Sequence, residues 1–264
     1  MPLIDLSGKV ALITGGSRGI GAATALLFAR AGAQVAITYR SRKRDAERVL
    51  EGLRSEGAEG ERGRGEGSDR AYQLDLASRE SNERVVADVV RDFGRLDCFV
   101  ANAGIWAPEE VPVARMSDAQ WRETMQVNLD SVFYGCRAVL RVIRLGGSVV
   151  IVTSTAGQRG EAFHADYAAT KGALIALVKS LAIEAAPDVT VNSVAPGWVD
   201  TEMAALPYEA DGGEGRRRIE AGIPLRRVAS AEDIAGPIVF LCSKLGRHVT
   251  GEILNVNGGS VLCG

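Results

Sequence analysis

Lys9-Val10-Ala11-Leu12-Ile13-Thr14, then Gly15-Gly16-Ser17-Arg18-Gly19-Ile20-Gly21, then the run 22–31, decides the fold. The first six residues have the length and apolar character of a short buried strand. The glycine-rich stretch reads as a tight turn and the run after it as a helix. A strand, a glycine turn and a helix start together make an anion site. Backbone N–H groups point outward there and the helix dipole favours a pyrophosphate. Glycines let the chain turn sharply and come close to the ligand. The spacing is Gly-x-x-x-Gly-x-Gly, which differs from the Gly-x-Gly-x-x-Gly dinucleotide fingerprint.

Working outward, apolar runs alternate with amphipathic ones along the whole chain. That pattern predicts a parallel sheet covered by helices. Strands are expected at 10–14, 34–39, 71–74, 96–101, 148–153, 190–195 and 253–256, and helices at 79–93, 119–143, 166–186 and 231–243. No repeat or composition shift marks a boundary, so residues 1–264 are expected to form one domain. Two stretches break the rhythm. Residues 57–70 interleave glycine with Glu and Arg, cannot bury an apolar face, and are expected to be a mobile loop. Residues 202–225 carry Pro207 and Gly212-Gly213 as hinges and Met203, Leu206 and Tyr208 as an apolar side.

Tyr167 and Lys171 lie four apart in a predicted helix and so share a face. A cation beside a phenol lowers its pKa and suits the pair to proton transfer at an alcohol oxygen. Ser154 follows an apolar strand and can hydrogen-bond a substrate oxygen. Asn128 falls in the middle of a predicted helix.

The chain resembles the short-chain dehydrogenase/reductase family. Thr14-Gly15-Gly16-Ser17-Arg18-Gly19-Ile20-Gly21 matches its cofactor turn and Asn102-Ala103-Gly104 its motif after the fourth strand. Asn128, Ser154, Tyr167 and Lys171 match its catalytic four, Pro196-Gly197 with Thr201 its nicotinamide-side segment, and Asn257-Gly258-Gly259 its ending. The match runs from about residue 6 to 259. The resemblance implies a Rossmann-like doubly wound sheet, strand order 3-2-1-4-5-6-7, with cofactor along the carboxyl ends. It implies that Lys171 also holds the nicotinamide ribose, that Asn128 kinks its helix and holds a water, and that 202–225 is a substrate lid. Thr153 and Val199 join the implied cofactor contacts, and Asp75-Leu76 borders the adenine, with Asp75 also a candidate helix cap.

Cofactor choice turns on the end of the second strand, where NAD enzymes place an acid. Tyr39 stands there, followed by Arg40, Ser41 and Arg42, with Ser17 and Arg18 in the first turn. Arginines favour a 2′-phosphate, so NADP(H) is expected. The implied reaction is reduction of a ketone or aldehyde to an alcohol. Carrier-protein reductases are a close familiar activity, yet Tyr134 and Ile183 stand where they have arginines. A stand-alone reductase of secondary or sugar metabolism remains open, as does a non-catalytic NADP(H)-binding regulator. His164, Trp106, Trp198 and Gln158 flank the expected substrate region.

The 264 residues carry a net charge of −2 and 46% hydrophobic content, which argues against bulk attraction to nucleic acid or membrane. The Arg216-Arg217-Arg218 run is diluted by Glu214 and Glu220. Four cysteines without a Cys-x-x-Cys pair, and two histidines, argue against a zinc site or a disulfide framework. Neither a leader nor an apolar run of spanning length is seen, so the chain is expected to be cytoplasmic. Apolar surface on helices 119–143 and 166–186 predicts a homotetramer, since relatives pair these helices across a two-fold axis.

Overall fold

The computed structural model describes residues 4–59 and 69–262. Residues 60–68, most of the expected mobile loop, lie outside the described residues, as does Cys263. Residues 57–59 belong to a helix rather than to that loop.

Seven parallel strands form one sheet: β1 (Val10–Ile13), β2 (Gln34–Tyr39), β3 (Arg70–Gln73), β4 (Cys98–Ala101), β5 (Gly147–Val152), β6 (Val189–Pro196) and β7 (Ile253–Val256). Their order is β3-β2-β1-β4-β5-β6-β7, as expected. The reversal between β1 and β4 opens a crevice at the strands' carboxyl ends, the usual ligand position in such sheets.

Each strand's two-residue period sorts its side chains onto two cores. Ala11 and Ile13 of β1 face the layer of α1 (Gly19–Arg30), α2 (Lys43–Glu59) and the later helix Ala231–Leu241, where Phe28, Leu53 and Ile238 are fully buried. Val10 and Leu12 face the opposite core, built with α3 (Arg79–Phe93), α5 (Ser131–Val139) and α7 (Ala165–Glu184), while α4 (Asp118–Met125) and the short α6 (Thr155–Arg159) pack against α7. There Val89, Val139 and Leu174 are fully buried. Burying such a side chain contributes about 1.5–3 kcal/mol. Central β5 is buried along its whole length, while edge strand β7 is only half-buried.

The long helix expected at 119–143 is interrupted. A π-helical turn, Gln126–Asp130, separates α4 from α5, and the chain leaves the helix at Leu140. Inserted π turns often mark functional sites, and this one holds Asn128.

Residues 202–225 fold as a 3₁₀ turn Glu202–Ala204, α8 (Ala205–Glu209), a second 3₁₀ turn and α9 (Glu214–Gly222). Ala204, Tyr208 and Ile223 of this segment form a small core with Val228, packed with Trp198. Only part of the expected apolar side is buried. The Tyr208 hydroxyl donates to the Val199 carbonyl at 2.9 Å, whereas Met203 and Leu206 are exposed. The basic run of α9 meets acids: Arg216 pairs with Asp200 and Glu220, Arg217 with Glu214, and Arg218 with Asp211. α10 (Ala231–Leu241) begins with a reciprocal Ser230–Asp233 capping box and leads toward β7. No helix among the described residues is long and apolar enough to cross a membrane.

Candidate active site

The β1–α1 turn is shaped by what its glycines permit. Gly15 has φ +66, which an L side chain rarely adopts, and its N–H donates to Thr38 Oγ1 at 3.1 Å. A Cβ on Gly21 would fall 2.3 Å from the Gly15 carbonyl oxygen, so helix and turn meet only because that position is bare. The turn is pinned to β4. Asn102 Nδ2 donates to the Thr14 carbonyl at 2.9 Å, and the backbone N–H groups of Asn102 and Ala103 donate to Thr14 Oγ1. The N-cap residue of α1, Arg18, makes no side-chain capping bond.

A cleft of about 800 Å³ runs from this turn to the aromatic side of residues 202–225. It is lined by Gly15, Ser17, Arg18, Gly19, Ile20, Tyr39, Arg40, Ser41, Asp75, Leu76, Asn102, Ala103, Gly104, Thr153, Ser154, Tyr167, Lys171, Pro196, Gly197, Val199 and Thr201. Two residues expected at the site lie behind the wall: Gly21, packed under the turn, and Asn128. Thr153 turns its hydroxyl to Ser193 at 2.6 Å. Asp75 is not the cap of a helix starting at Leu76. Its Oδ1 accepts from Ala77 N–H at 3.1 Å, and α3 begins later, capped by Ser78.

Ser154 caps α6 and accepts from the Ala156 N–H at 3.1 Å. Its hydroxyl also bonds the Tyr167 phenol. Lys171 Nζ lies 5.5 Å from the Tyr167 ring centroid and donates to the Val152 carbonyl at 2.8 Å. Asn128 is buried and makes two bonds to Ile105, Oδ1 accepting from its N–H and Nδ2 donating to its carbonyl, each at 2.8 Å. A Cβ built on Gly104 would meet Asn128 Oδ1 at 3.0 Å and Lys171 Nζ at 3.9 Å, so amide and ammonium border one small space.

The electrostatics correct one expectation. Burial raises the Tyr167 pKa to about 12, against the pull of Ser154 and with a further push from Glu161. Lys171 does not pull it below the ordinary value. Burial drives Lys171 down to about 8. Desolvation of both charged forms outweighs any help from the ammonium.

Three side chains escaped the sequence reading. Glu161 lines the cleft, and burial raises its pKa against the pull of His164 and Arg159 and of a bond with Trp106. Glu202 also lines the cleft, bonded to Arg18 and Arg42. Glu123 lines the cleft too. Glu161 and Glu202 lie outside the regular helices and strands, where an acid gives no periodic signal, and Glu123 sits on α4 like any solvent-facing helix acid, so only the folded chain reveals these. Trp106 and Trp198 line the cleft with centroids 6.1 Å apart. His164 backs Trp106 at 4.8 Å and makes no capping bond to α7. Gln158 points elsewhere, its Nε2 donating to Asn255 at 2.7 Å.

A family profile described as Enoyl-(Acyl carrier protein) reductase matches residues 15–260. The 3-oxoacyl-(acyl-carrier-protein) reductase FabG of Aquifex aeolicus (strain VF5) is 37% identical, over 97% of this chain and 98% of its own length. A short-chain dehydrogenase/reductase from Brucella melitensis, described as a glucose/ribitol dehydrogenase, has a similar structure. The TM-score is 0.89 at 33% identity, covering 98% of this chain and 99% of that one. A short chain dehydrogenase from Burkholderia cenocepacia J2315, solved in complex with NADP, gives 0.86 at 33% identity, covering 97% and 98%. With sequence and fold agreeing over nearly its full length, the chain belongs to the short-chain dehydrogenase/reductase family.

Proposed function

We propose that this protein is an NADPH-dependent ketoreductase that converts a ketone or aldehyde to an alcohol. The observation that carries the reading is one cleft holding three things: an uncapped helix start behind a glycine turn, arginines at the end of β2, and Ser154, Tyr167 and Lys171. The FabG relative acts on 3-oxoacyl carrier protein by name, and the Burkholderia relative was solved with NADP.

The residues present fit such a cofactor. The bare α1 N-terminus and Gly15, Gly19 and Ile20 suit a pyrophosphate. Tyr39 supplies no carboxylate against a 2′-phosphate, and Arg40 and Ser41 are exposed beside it. Among the described residues no acid pairs with the Arg40 side chain, so its guanidinium is open to a phosphate. When bound, the reduced nicotinamide supplies the hydride. Asn102, Ala103, Gly104, Pro196, Gly197, Val199 and Thr201 form the walls on that side.

Tyr167 donates the proton to the substrate oxygen. Its pKa of about 12 keeps it protonated at neutral pH, the form reduction needs. Lys171, at about 8, is charged at neutral pH and stabilises the phenolate left after transfer. Ser154 holds the substrate oxygen against Tyr167. Asn128 fixes the Ile105 backbone and borders the space beside Lys171, where it suits a proton-relaying water. Residues 202–225 act as the lid, closing the aromatic wall over the substrate. The domain is one catalytic unit, residues 1–264, and works in the cytoplasm. Exposed Phe133 on α5, with exposed Leu262 on the C-terminal tail, supports a homotetramer built on helix and C-terminal interfaces.

A free polar carbonyl compound is favoured as substrate over a carrier-bound acyl chain by two observations. Glu161 places an acid in the cleft, and Ile183, 80% exposed, puts an apolar side chain where docking to an acidic carrier needs a cation. NADPH oxidation with carrier-bound 3-oxoacyl chains, the same chains on a small thiol, and polyhydroxy ketones decides between the readings. Turnover confined to the carrier-bound form returns the protein to carrier-protein chemistry, and turnover of none rejects the ketoreductase assignment.

A further inference from the structure

Glu202 faces the wrong way for a residue that serves only the lid. It opens the 3₁₀ turn at the start of residues 202–225, yet its carboxylate reaches across the cleft to two arginines on other elements. Arg18 comes from the glycine turn and Arg42 from the loop before α2. Arg18 Nη1 donates to Glu202 Oε2. Arg42 Nη1 lies 3.2 Å from Oε1 and 2.9 Å from Oε2. All three residues line the cleft, alongside Arg40 and Ser41. Arg42 also lies 3.5 Å from Asp45, an acid outside the cleft lining.

We infer that Glu202 is a built-in rival of the cofactor's 2′-phosphate, holding Arg18 and Arg42 until the phosphate displaces it. The inference rests on the NADP(H) reading. A carboxylate and a phosphate compete for the same forked donors, because each presents a pair of oxygens that a guanidinium can bind bidentately. A phosphate dianion beside a retained carboxylate is repelled by it, so both anions cannot sit on this pair of arginines without cost. Glu202 is 57% exposed and the two arginines about half exposed. Ion pairs this open are weakly held and screened by water, so displacement is easy and the arginines reach the phosphate already gathered. The device sets a lower affinity than Arg18, Arg40 and Arg42 could give unopposed, which keeps cofactor exchange fast. NADH has no 2′-phosphate and gains nothing from the displacement.

Calorimetric titration of NADPH, NADH and adenosine 2′,5′-bisphosphate into the parent and Glu202→Gln tests this without any turnover. Two broken exposed pairs should tighten NADPH and the bisphosphate by about three- to tenfold, and NADH by less than about twofold. Asp45→Asn, which removes the same charge from Arg42's other partner, should tighten NADPH less than Glu202→Gln does. Unchanged or weaker NADPH binding in Glu202→Gln overturns the inference, as does equal tightening of NADH or an equal effect of Asp45→Asn. Glu202→Ala must agree in sign with Glu202→Gln, which separates loss of charge from local disturbance. A parent that binds NADH as tightly as NADPH fails the cofactor reading itself, whatever the variants do.

Discussion

At one end of the cleft Lys171 and Asn128 have almost no contact with solvent, while at the other Arg18, Arg42 and Glu202 keep about half their side-chain surface in water. The buried end has few opposing charges, so desolvation decides its protonation: Tyr167 rises to about 12 and Lys171 falls to about 8. The open end balances two cations against an acid and remains adjustable. Burial fixes which proton is available, and open charges choose and release the cofactor. Mutations at the two ends should therefore fail in different ways.

The largest effect is expected at the buried end. Tyr167→Phe removes the donor and should lower the reduction rate by roughly 10²–10⁴, while NADPH affinity measured by fluorescence titration stays near the parent value. A variant within twofold of parent turnover would remove Tyr167 from the chemistry. At the open end, Arg40→Ala should weaken NADPH binding at least about tenfold with NADH nearly unchanged, because a charge-assisted bond to phosphate contributes about 1.5–3 kcal/mol. An equal loss for both cofactors would place Arg40 on a group they share.

Stability distinguishes the ends as well. The folded pKa of Lys171 lies below its ordinary 10.5, so between about 8 and 10.5 the unfolded chain binds the extra proton. Parent stability therefore gains from this group as pH rises through that window, and carries a penalty below about 8. Lys171→Met should remove the penalty. At pH 7 it is expected to be more stable by about 1–3 kcal/mol, with the difference vanishing above about pH 10.5. Denaturant melts at pH 7 and 10.5 measure it; a less stable variant at pH 7 would mean that the Val152 bond outweighs desolvation. The smallest effect is expected from Glu161→Gln. It removes a negative field that raises the Tyr167 pKa, so the alkaline rise of alcohol oxidation should move to lower pH. An unmoved profile would show that Glu161 acts on substrate alone.

Much of this architecture was legible because it rests on local patterns. The run from Lys9 to Gly21 specified strand, turn and helix through apolar length and glycine spacing, and the two-residue period of β1 matched its two-sided burial. The Tyr167–Lys171 spacing likewise needed only a helix. What stayed hidden depends on long-range geometry. The interruption around Asn128 was implied only by the family resemblance, as a kink, because its local sequence is ordinary for an α-helix. Glu202 lies 184 positions from Arg18 and 160 from Arg42, so no window of sequence contains their contact. The sign of the Tyr167 shift was misread because spacing shows a neighbouring cation and is silent on how deeply both groups are buried.

The pH dependence of carbonyl reduction by the intact protein tests the buried-end account most directly. Steady-state NADPH consumption should hold constant from about pH 6 to 7.5, with Tyr167 protonated and Lys171 charged, and fall as Lys171 loses its proton above about 8. A rate that keeps climbing beyond pH 9, or one that is already falling below pH 7, would contradict it.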